Sequence, residues 1–380
     1  MTTSTEDRTA FAESVRAFAH DRLAAGALER AHAPGYPWDV AELLARQGLL
    51  GLTVPERDGG QGATLLDAVT AIREVGLVCP KSADVVQAGN FGALRTFAEY
   101  ADDDQKARFL PGFLAGKTLL GLAMSEPEAG SAVTDLTTSA EPDGDGYVVN
   151  GTKLWSTHSV EANVFLVYVR FGPGVGGIGS VLVERGTPGL EIGNPSEYMS
   201  GEQWAPLYFE NCRIPAENVL LGPGGFKKQI SGFNVERLGN AARSLALGRL
   251  AFGIARDHVL QREQFGRTLA DFQGVQWKFA DVAVALDGAD LLLERAAAGD
   301  GLPSAYETSV AKLAANQAGF QAADQAMQVM GAMGYSTETL VEYCFRRTRG
   351  WMIAGGSLEV LRNRIAEGVL GRRFSQRAPK

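Results

Sequence analysis

The chain holds 380 residues, 45% hydrophobic and 21% charged, enough apolar material to bury one or more large cores and too much for a disordered or fibrous chain. With 36 basic residues against 44 acidic ones the net charge is −8, which argues against a protein built to neutralise nucleic-acid phosphates. Three cysteines, Cys79, Cys212 and Cys344, share no CxxC spacing, so neither a disulfide framework nor a zinc site is indicated.

From residue 5 to about 118 apolar residues recur at three and four, as in Phe11, Val15 and Phe18 or Val40, Leu43 and Leu44, and predict an α-helical domain over 1–118. Its first segment, MTTSTEDRTAFAESVRAFAHDRL, carries early acids and lacks the apolar core of a signal peptide. No stretch approaches the ~20 apolar residues of a membrane span. The expectation is a cytoplasmic protein that touches neither membrane nor nucleic acid. Over 119–225 the period changes: NVFLVYVRF, GSVLVER, GLEI and PLYFENCRI are strand-length runs divided by Gly and Pro, and Asn150-Gly151 reads as a hairpin turn. A small β domain is expected there. Long helical patterns return over 226–380 and predict a four-helix bundle whose inner Ala and Gly residues let helices approach closely. The fold class is therefore α+β, in the order helices, β domain, helical bundle. That order lacks the βαβ alternation of a nicotinamide-binding Rossmann sheet.

Single motifs are weak. GPGVGGIG at 172–179 fits neither GxGxxG nor a P-loop and reads as a connecting loop; His20, His32, His158 and His258 show no ligand spacing, and no metal is expected. Five pieces gain force from their order: LAMSEPEAGSAV (122–133), KLWST (153–157), REQFGRTLADFQ (262–273), QVMGAMGYS (328–336) and IAGGSLEVLRN (353–363). Taken one at a time, each has a plain reading: Ser-Glu-Pro ends a strand, Trp155 is core, Arg262 is a solvated helix residue and the Gly pairs are caps.

With these pieces in this order the chain resembles the acyl-CoA dehydrogenase family, flavoproteins that form the α,β double bond of acyl thioesters. The resemblance covers nearly the whole chain and implies bound FAD. SEPEAGSA is similar to the family's TEPGAGSD, with Ser125 and Ser131 at its hydroxyl positions and Glu128 and Ala132 departing from it. Backbone groups at Met124 and Ser125 are thereby implied for the flavin ring, Ser131 for cofactor and substrate, Trp155 flanking the ring and Thr157 near its N5. Arg262, Phe265 and Gln273 match residues that reach the ADP half from a neighbouring subunit, so a homodimer or homotetramer is implied. Gln328, Gly331, Ser357 and Glu359 match the remaining dinucleotide contacts. An acyl-CoA or acyl-carrier-protein thioester is the implied substrate, and an electron-transferring flavoprotein the implied partner.

Many family members carry the catalytic base as the Glu of a Tyr-Glu-Gly-Thr segment, where this chain reads Ala354-Gly355-Gly356-Ser357. The family also has a second location for the base, on the first helix of the C-terminal bundle, in isovaleryl-type, long-chain-type and actinobacterial sterol-degrading relatives. Here that helix reads GFNVERLGN, which makes Glu236 the candidate base, with room for it left by Gly355. Arg237, Gly355 and Gly356 are the matching substrate-side positions, the Gly355 N–H serving the thioester oxygen. Two other readings stay open: a non-oxidative elimination such as desulfination on the same fold, and a non-catalytic subunit of a hetero-oligomer.

Overall fold

Strand β4 (Val164–Arg170) is buried at every position but the last, the pattern of a strand covered on both faces. Its alternate residues point to opposite sides. Val164, Leu166 and Tyr168 join a core with Phe97, Phe109 and Phe113 from helices, while Phe165, Val167 and Val169 join a second core with Val149, Phe209 and Ile214. The computed structural model describes residues 5–156, 158–299 and 301–376, and among them the three-part order of helices, β-sheet and helices is observed.

The first part contains α1 (Thr5–Leu23), α2 (Ala27–His32), α3 (Trp38–Arg46), α4 (Leu65–Gly76), α5 (Pro80–Ala88), α6 (Gly92–Tyr100) and α7 (Asp103–Leu114). Asp102 and Gln105 form a reciprocal capping box that starts α7, and the Gln105 amide also donates to Glu217 O and Val219 O. The second part contains β1 (Leu120–Ala123), β2 (Ser139–Asp143), β3 (Gly146–Lys153), β4, β5 (Ile178–Glu184), β6 (Leu190–Ile192), the short pair β7 (Ser196–Glu197) and β8 (Gln203–Trp204), then β9 (Leu207–Pro215) and β10 (Val219–Leu221). The main sheet runs β10-β5-β4-β2-β3-β9-β6, with β1 parallel to β4. The third part contains α8 (Phe226–Gln261), a hairpin of β11 (Glu263–Gln264) and β12 (Arg267–Thr268), α9 (Gln273–Ala297), α10 (Ala305–Met330), α11 (Ala332–Tyr335), α12 (Leu340–Trp351) and α13 (Leu358–Leu370). No described helix is long and apolar enough to cross a membrane.

The Asn150-Gly151 turn is not observed. Strand β3 runs straight through it, and the hairpin that joins β2 to β3 turns at Gly144-Asp145 instead. Asn150-Gly151 marks a bulge: the β3–β9 register slips between Val149 and Gly151, and the in-out alternation of β9 breaks at Glu210-Asn211. Asn150 Oδ1 accepts the N–H of Asn211, which sits at φ +48°, at 2.7 Å.

The chain divides into two compact units. Unit 1 comprises Met1–Ala31, Val69–Ala83 and Glu236–Lys380; unit 2 comprises His32–Ala68 and Asp84–Val235. Inside unit 1, Arg16 of α1 pairs with Glu74 of α4 at 2.7 Å, Arg73 of α4 with Glu294 of α9 at 2.9 Å, and Arg249 of α8 with Asp290 of α9.

Candidate active site

The site residues fall into two groups, one in each unit. In unit 2, β1 ends at Ala123 and the chain continues through Met124 and Ser125 into a tight turn closed by reciprocal bonds between Glu126 and Ala129. Lys153, the last residue of β3, is wholly buried and donates to Met124 O at 3.1 Å and to Glu126 Oε1 at 2.8 Å. The Glu126 carboxylate also accepts from the backbone N–H groups of Thr137 and Thr138 and from the Thr137 hydroxyl. Burial pushes this carboxyl up, but Lys153 and the hydrogen bonds outweigh it and hold it down at about 2. Burial pulls the Lys153 ammonium down to about 8 against the attraction of Glu126. The pair is ionised at neutral pH and ties the 124–126 segment to the end of β3.

Leu154 N donates to Ser125 O at 2.9 Å, which sets Trp155 beside Ser125. Trp155 is not core. It has φ +59° and leaves 54% of its surface exposed, and its ring is braced by Trp204 at 4.1 Å and Tyr198 at 6.3 Å from the short β7–β8 hairpin. A bulky residue in the left-handed region is a genuine outlier that surrounding structure must impose. No acceptor among the described residues takes the Ser125 N–H. Ser131 is exposed nearby in sequence, after Gly130, whose missing side chain faces open space. Thr157 lies outside the described residues. The local arrangement is an exposed aromatic face next to an open backbone donor and small residues, which suits a flat polar ring.

In unit 1 the second group stands where α8 crosses α10. At the crossing a side chain on Gly319 would overlap the Ser244 carbonyl, and one on Gly248 would reach Gly319, so the glycines permit the close approach. Contacts then advance together along both helices: Ser244 Oγ donates to Ala315 O at 3.2 Å, Asn316 Nδ2 to Asn240 Oδ1 at 3.0 Å, and Arg237 to Ser309 Oγ at 3.5 Å. Glu236 and Asn240, four residues apart, share one helix face. Glu236 meets Arg243 at 3.4 Å and keeps 17% of its side chain accessible.

The turn between α12 and α13 packs on this face. Gly355 has φ +72° and Gly356 φ +95°. A Cβ on Gly355 would stand 3.3 Å from Lys312 Cε and 3.5 Å from Asn240 Nδ2. A side chain starting at Gly355 would thus first meet Lys312 and Asn240, and Glu236 is not among the groups within 4 Å of that Cβ. Gly356 lies near Arg237, whose guanidinium burial brings down to about 10 with help from Arg364. Lys312 is buried and its ammonium donates to Trp351 O and Gly356 O; burial, with Arg237 and Arg243 adding to it and Glu236 opposing, brings it down to about 7.

The remaining candidates in unit 1 lie apart from this cluster. Arg262 follows α8 rather than lying within a helix, and Phe265-Gly266, both at positive φ, form the two-residue tip of the β11–β12 hairpin. Phe265 is 93% exposed there, and Arg262 and Gln273 are exposed on either side. Gln328 and Gly331 sit exposed at the C-terminal end of α10. Ser357 caps α13, accepting from Val360 N at 3.4 Å, with Glu359 exposed in its first turn.

The structure adds residues that sequence reasoning passed over: Glu126, Lys153, Tyr198, Trp204, Asn240, Arg243 and Lys312. The one available signal was positional, since Lys312 falls on the same helical stripe as Ser309, Ala315, Asn316 and Gly319.

Residues 5–117, 121–212 and 223–370 match, in turn, the N-terminal, middle and C-terminal domains of the acyl-CoA dehydrogenase family. A 3-sulfinopropanoyl-CoA desulfinase of Paraburkholderia xenovorans is 34% identical over 374 residues, 96% of each chain. The mitochondrial short-chain specific acyl-CoA dehydrogenase of Mus musculus is 34% identical over 367 residues, 94% of this chain and 89% of the mouse protein. Among solved structures, glutaryl-coenzyme A dehydrogenase in complex with glutaryl-CoA superposes with a TM-score of 0.93 at 27% identity, over 100% of this chain and 99% of the other.

Proposed function

Because the chain belongs to the acyl-CoA dehydrogenase family, we propose that it is an FAD-dependent enzyme that forms the α,β double bond of an acyl-CoA thioester, with Glu236 as base. It then falls in the subgroup that carries the base on the first helix of the C-terminal bundle. One observation supports the reading: Asn240, one turn from Glu236 on the same face of α8, lies against Gly355, in the turn where the family's usual glutamate is missing.

The exposed, braced Trp155 and the open Ser125 N–H fit a flavin ring, with Met124, Ser125, Ser131, Trp155 and Thr157 holding it. Arg262, Phe265, Gln273, Gln328, Gly331, Ser357 and Glu359 are assigned to the rest of the dinucleotide. When bound, FAD supplies the acceptor for the hydride that leaves the β-carbon. The chain's own residues do the rest. Glu236 takes the α-proton, and the electron pair of that C–H bond delocalises onto the thioester oxygen, where the Gly355 N–H donates. Arg237, Gly356 and Ser131 are assigned to the substrate. An electron-transferring flavoprotein would be the redox partner. Exposed Trp277, Val284 and Leu291, spaced by seven on α9, together with the Phe265 tip, support assembly into a homodimer or homotetramer.

The deciding experiment is an anaerobic screen of acyl-CoA thioesters for bleaching of the bound flavin, with Glu236→Gln as the control; bleaching by the wild type and its loss in the variant are expected. The desulfinase similarity and Gly355 favour a second reading, non-oxidative elimination. Sulfite release from 3-sulfinopropanoyl-CoA without any lasting flavin change would select it.

A further inference from the structure

The connector from Trp351 to Gly356 has to make a bend with two successive residues of positive φ, Gly355 and Gly356. Glycine makes the bend cheap, but it also leaves the peptide planes on either side free to rotate. The carbonyls at the end of α12 have no partner within the helix. Lys312 fastens both ends of the bend. Its side chain is wholly buried on α10, and Nζ donates to Trp351 O at 3.0 Å and to Gly356 O at 2.9 Å, bracketing Met352, Ile353, Ala354 and Gly355. Its Cε also closes the space behind Gly355, 3.3 Å from where a Cβ would stand. No acceptor among the described residues takes the Gly355 N–H, so the bracketed bend ends in an open donor.

A buried lysine is a costly way to satisfy two carbonyls, because desolvation of its charge opposes folding. Its position at the negative end of the α12 dipole offsets part of that cost. What the lysine adds over a neutral filler is a three-point constraint: two bonds and a steric floor under one glycine. An amide donor aimed at developing negative charge is worth most when it cannot swing away as the charge forms.

We infer that Lys312 is a positioning residue for α-proton removal: by tying Trp351 O to Gly356 O it holds the bend so that the Gly355 N–H is presented to the thioester oxygen. The inference rests on the proposed thioester chemistry. Since the charge on that oxygen grows only in the transition state, loss of the clamp falls on the rate and leaves substrate affinity nearly unchanged.

The test follows exchange of α-hydrogen for deuterium in D2O, with the flavin of the holoprotein reduced beforehand by dithionite so that no hydride can leave. The probes are butyryl-, isovaleryl- and octanoyl-CoA, using whichever the wild type binds most tightly. Lys312→Met is expected to slow exchange by about 10²-fold, the scale of a lost oxyanion donor, with the dissociation constant of the thioester within about threefold of wild type. Gly355→Ala, which crowds Lys312 Cε and strains the bend at φ +72° without deleting a charge, is expected to give the same split and keeps the inference falsifiable where Lys312→Met does not fold. Exchange at the wild-type rate in either folded variant, or affinity falling in step with rate, overturns the inference alone. A wild type that binds the thioester and exchanges no α-hydrogen removes the proposed function and the inference together.

Discussion

Glu236→Gln keeps the shape and hydrogen-bonding capacity of the side chain and removes its ability to take a proton. Flavin reduction by substrate is expected to drop by ~10²–10⁴-fold, with FAD content and thioester affinity preserved. Stopped-flow reduction of the two proteins side by side checks this, and an unchanged rate would place the base elsewhere. Lys312 makes a second residue-scale prediction. Its ammonium is held near 7 in the folded protein against an ordinary value of 10.5, so between those values the unfolded chain binds a proton that the native state does not. Stability contributed at this position rises with pH across that window and is lowest below it. Urea titrations of wild type and Lys312→Met at pH 6.5 and 9.5 are therefore expected to show the difference moving in favour of wild type at the higher pH; a constant difference would mean that the lysine titrates normally. Glu236 was singled out from the sequence because Gly355 and Arg237 matched a known pattern, and its role is what Glu236→Gln tests. Lys312 was not, because a lysine on a helix reads as solvated, and the stripe it occupies is buried through Ser, Ala, Asn and Gly rather than through large apolar residues that a periodicity can register.

Among elements, the ends of β1 and β3 depend on one ion pair. Glu126→Gln leaves Lys153 buried without its countercharge, and the loss of one partner of such a pair typically costs about 3–5 kcal/mol. A drop of that order in urea stability, with FAD released more easily, is expected; an effect below about 1 kcal/mol would show that water reaches the lysine. Acid should act in the same direction. The Glu126 carboxyl is depressed when folded, so its contribution is present above its unfolded value and fades as pH falls toward 2. The resemblance brought SEPEAGSA and KLWST to one flavin but could not show what ties them together, because the link runs through Glu126 and Lys153, two residues inside those motifs to which the resemblance attaches no role. Asn150-Gly151 misled for a related reason. An Asn-Gly dipeptide supplies backbone freedom to a hairpin turn and to a bulge alike, and only the partner strand, with Asn211 at positive φ, decides between them. The α–β–α order, in contrast, was plain, because strand-length runs and long helical stripes differ over many residues at once.

Across the molecule, the exposed apolar positions on α9 and the Phe265 tip are where the proposed assembly is tested. Val284→Asp is expected to shift the particle to a smaller species in size-exclusion chromatography with light scattering, and Arg262→Ala to loosen FAD without changing the assembly. A wild-type monomer that retains flavin would contradict both.

Unit 1 draws on three stretches of chain, and its largest part begins only at Glu236. On the ribosome this becomes a matter of waiting time. Unit 2 has all of its sequence once Val235 has emerged, whereas α1 and the second half of α4 have left the tunnel well before the rest of unit 1 is made. At the usual pace of ~5–20 residues per second that delay lasts roughly 10–30 s. During it Val15, Ala19 and Leu23, buried in the finished protein, have from their own unit only the second half of α4 and the start of α5 to pack on. A nascent chain stalled with Val235 just clear of the ribosome is thus expected to be cut by protease within Thr5–Leu23 while its β-sheet resists, and this N-terminal helix is the natural point at which a chaperone holds the unfinished protein.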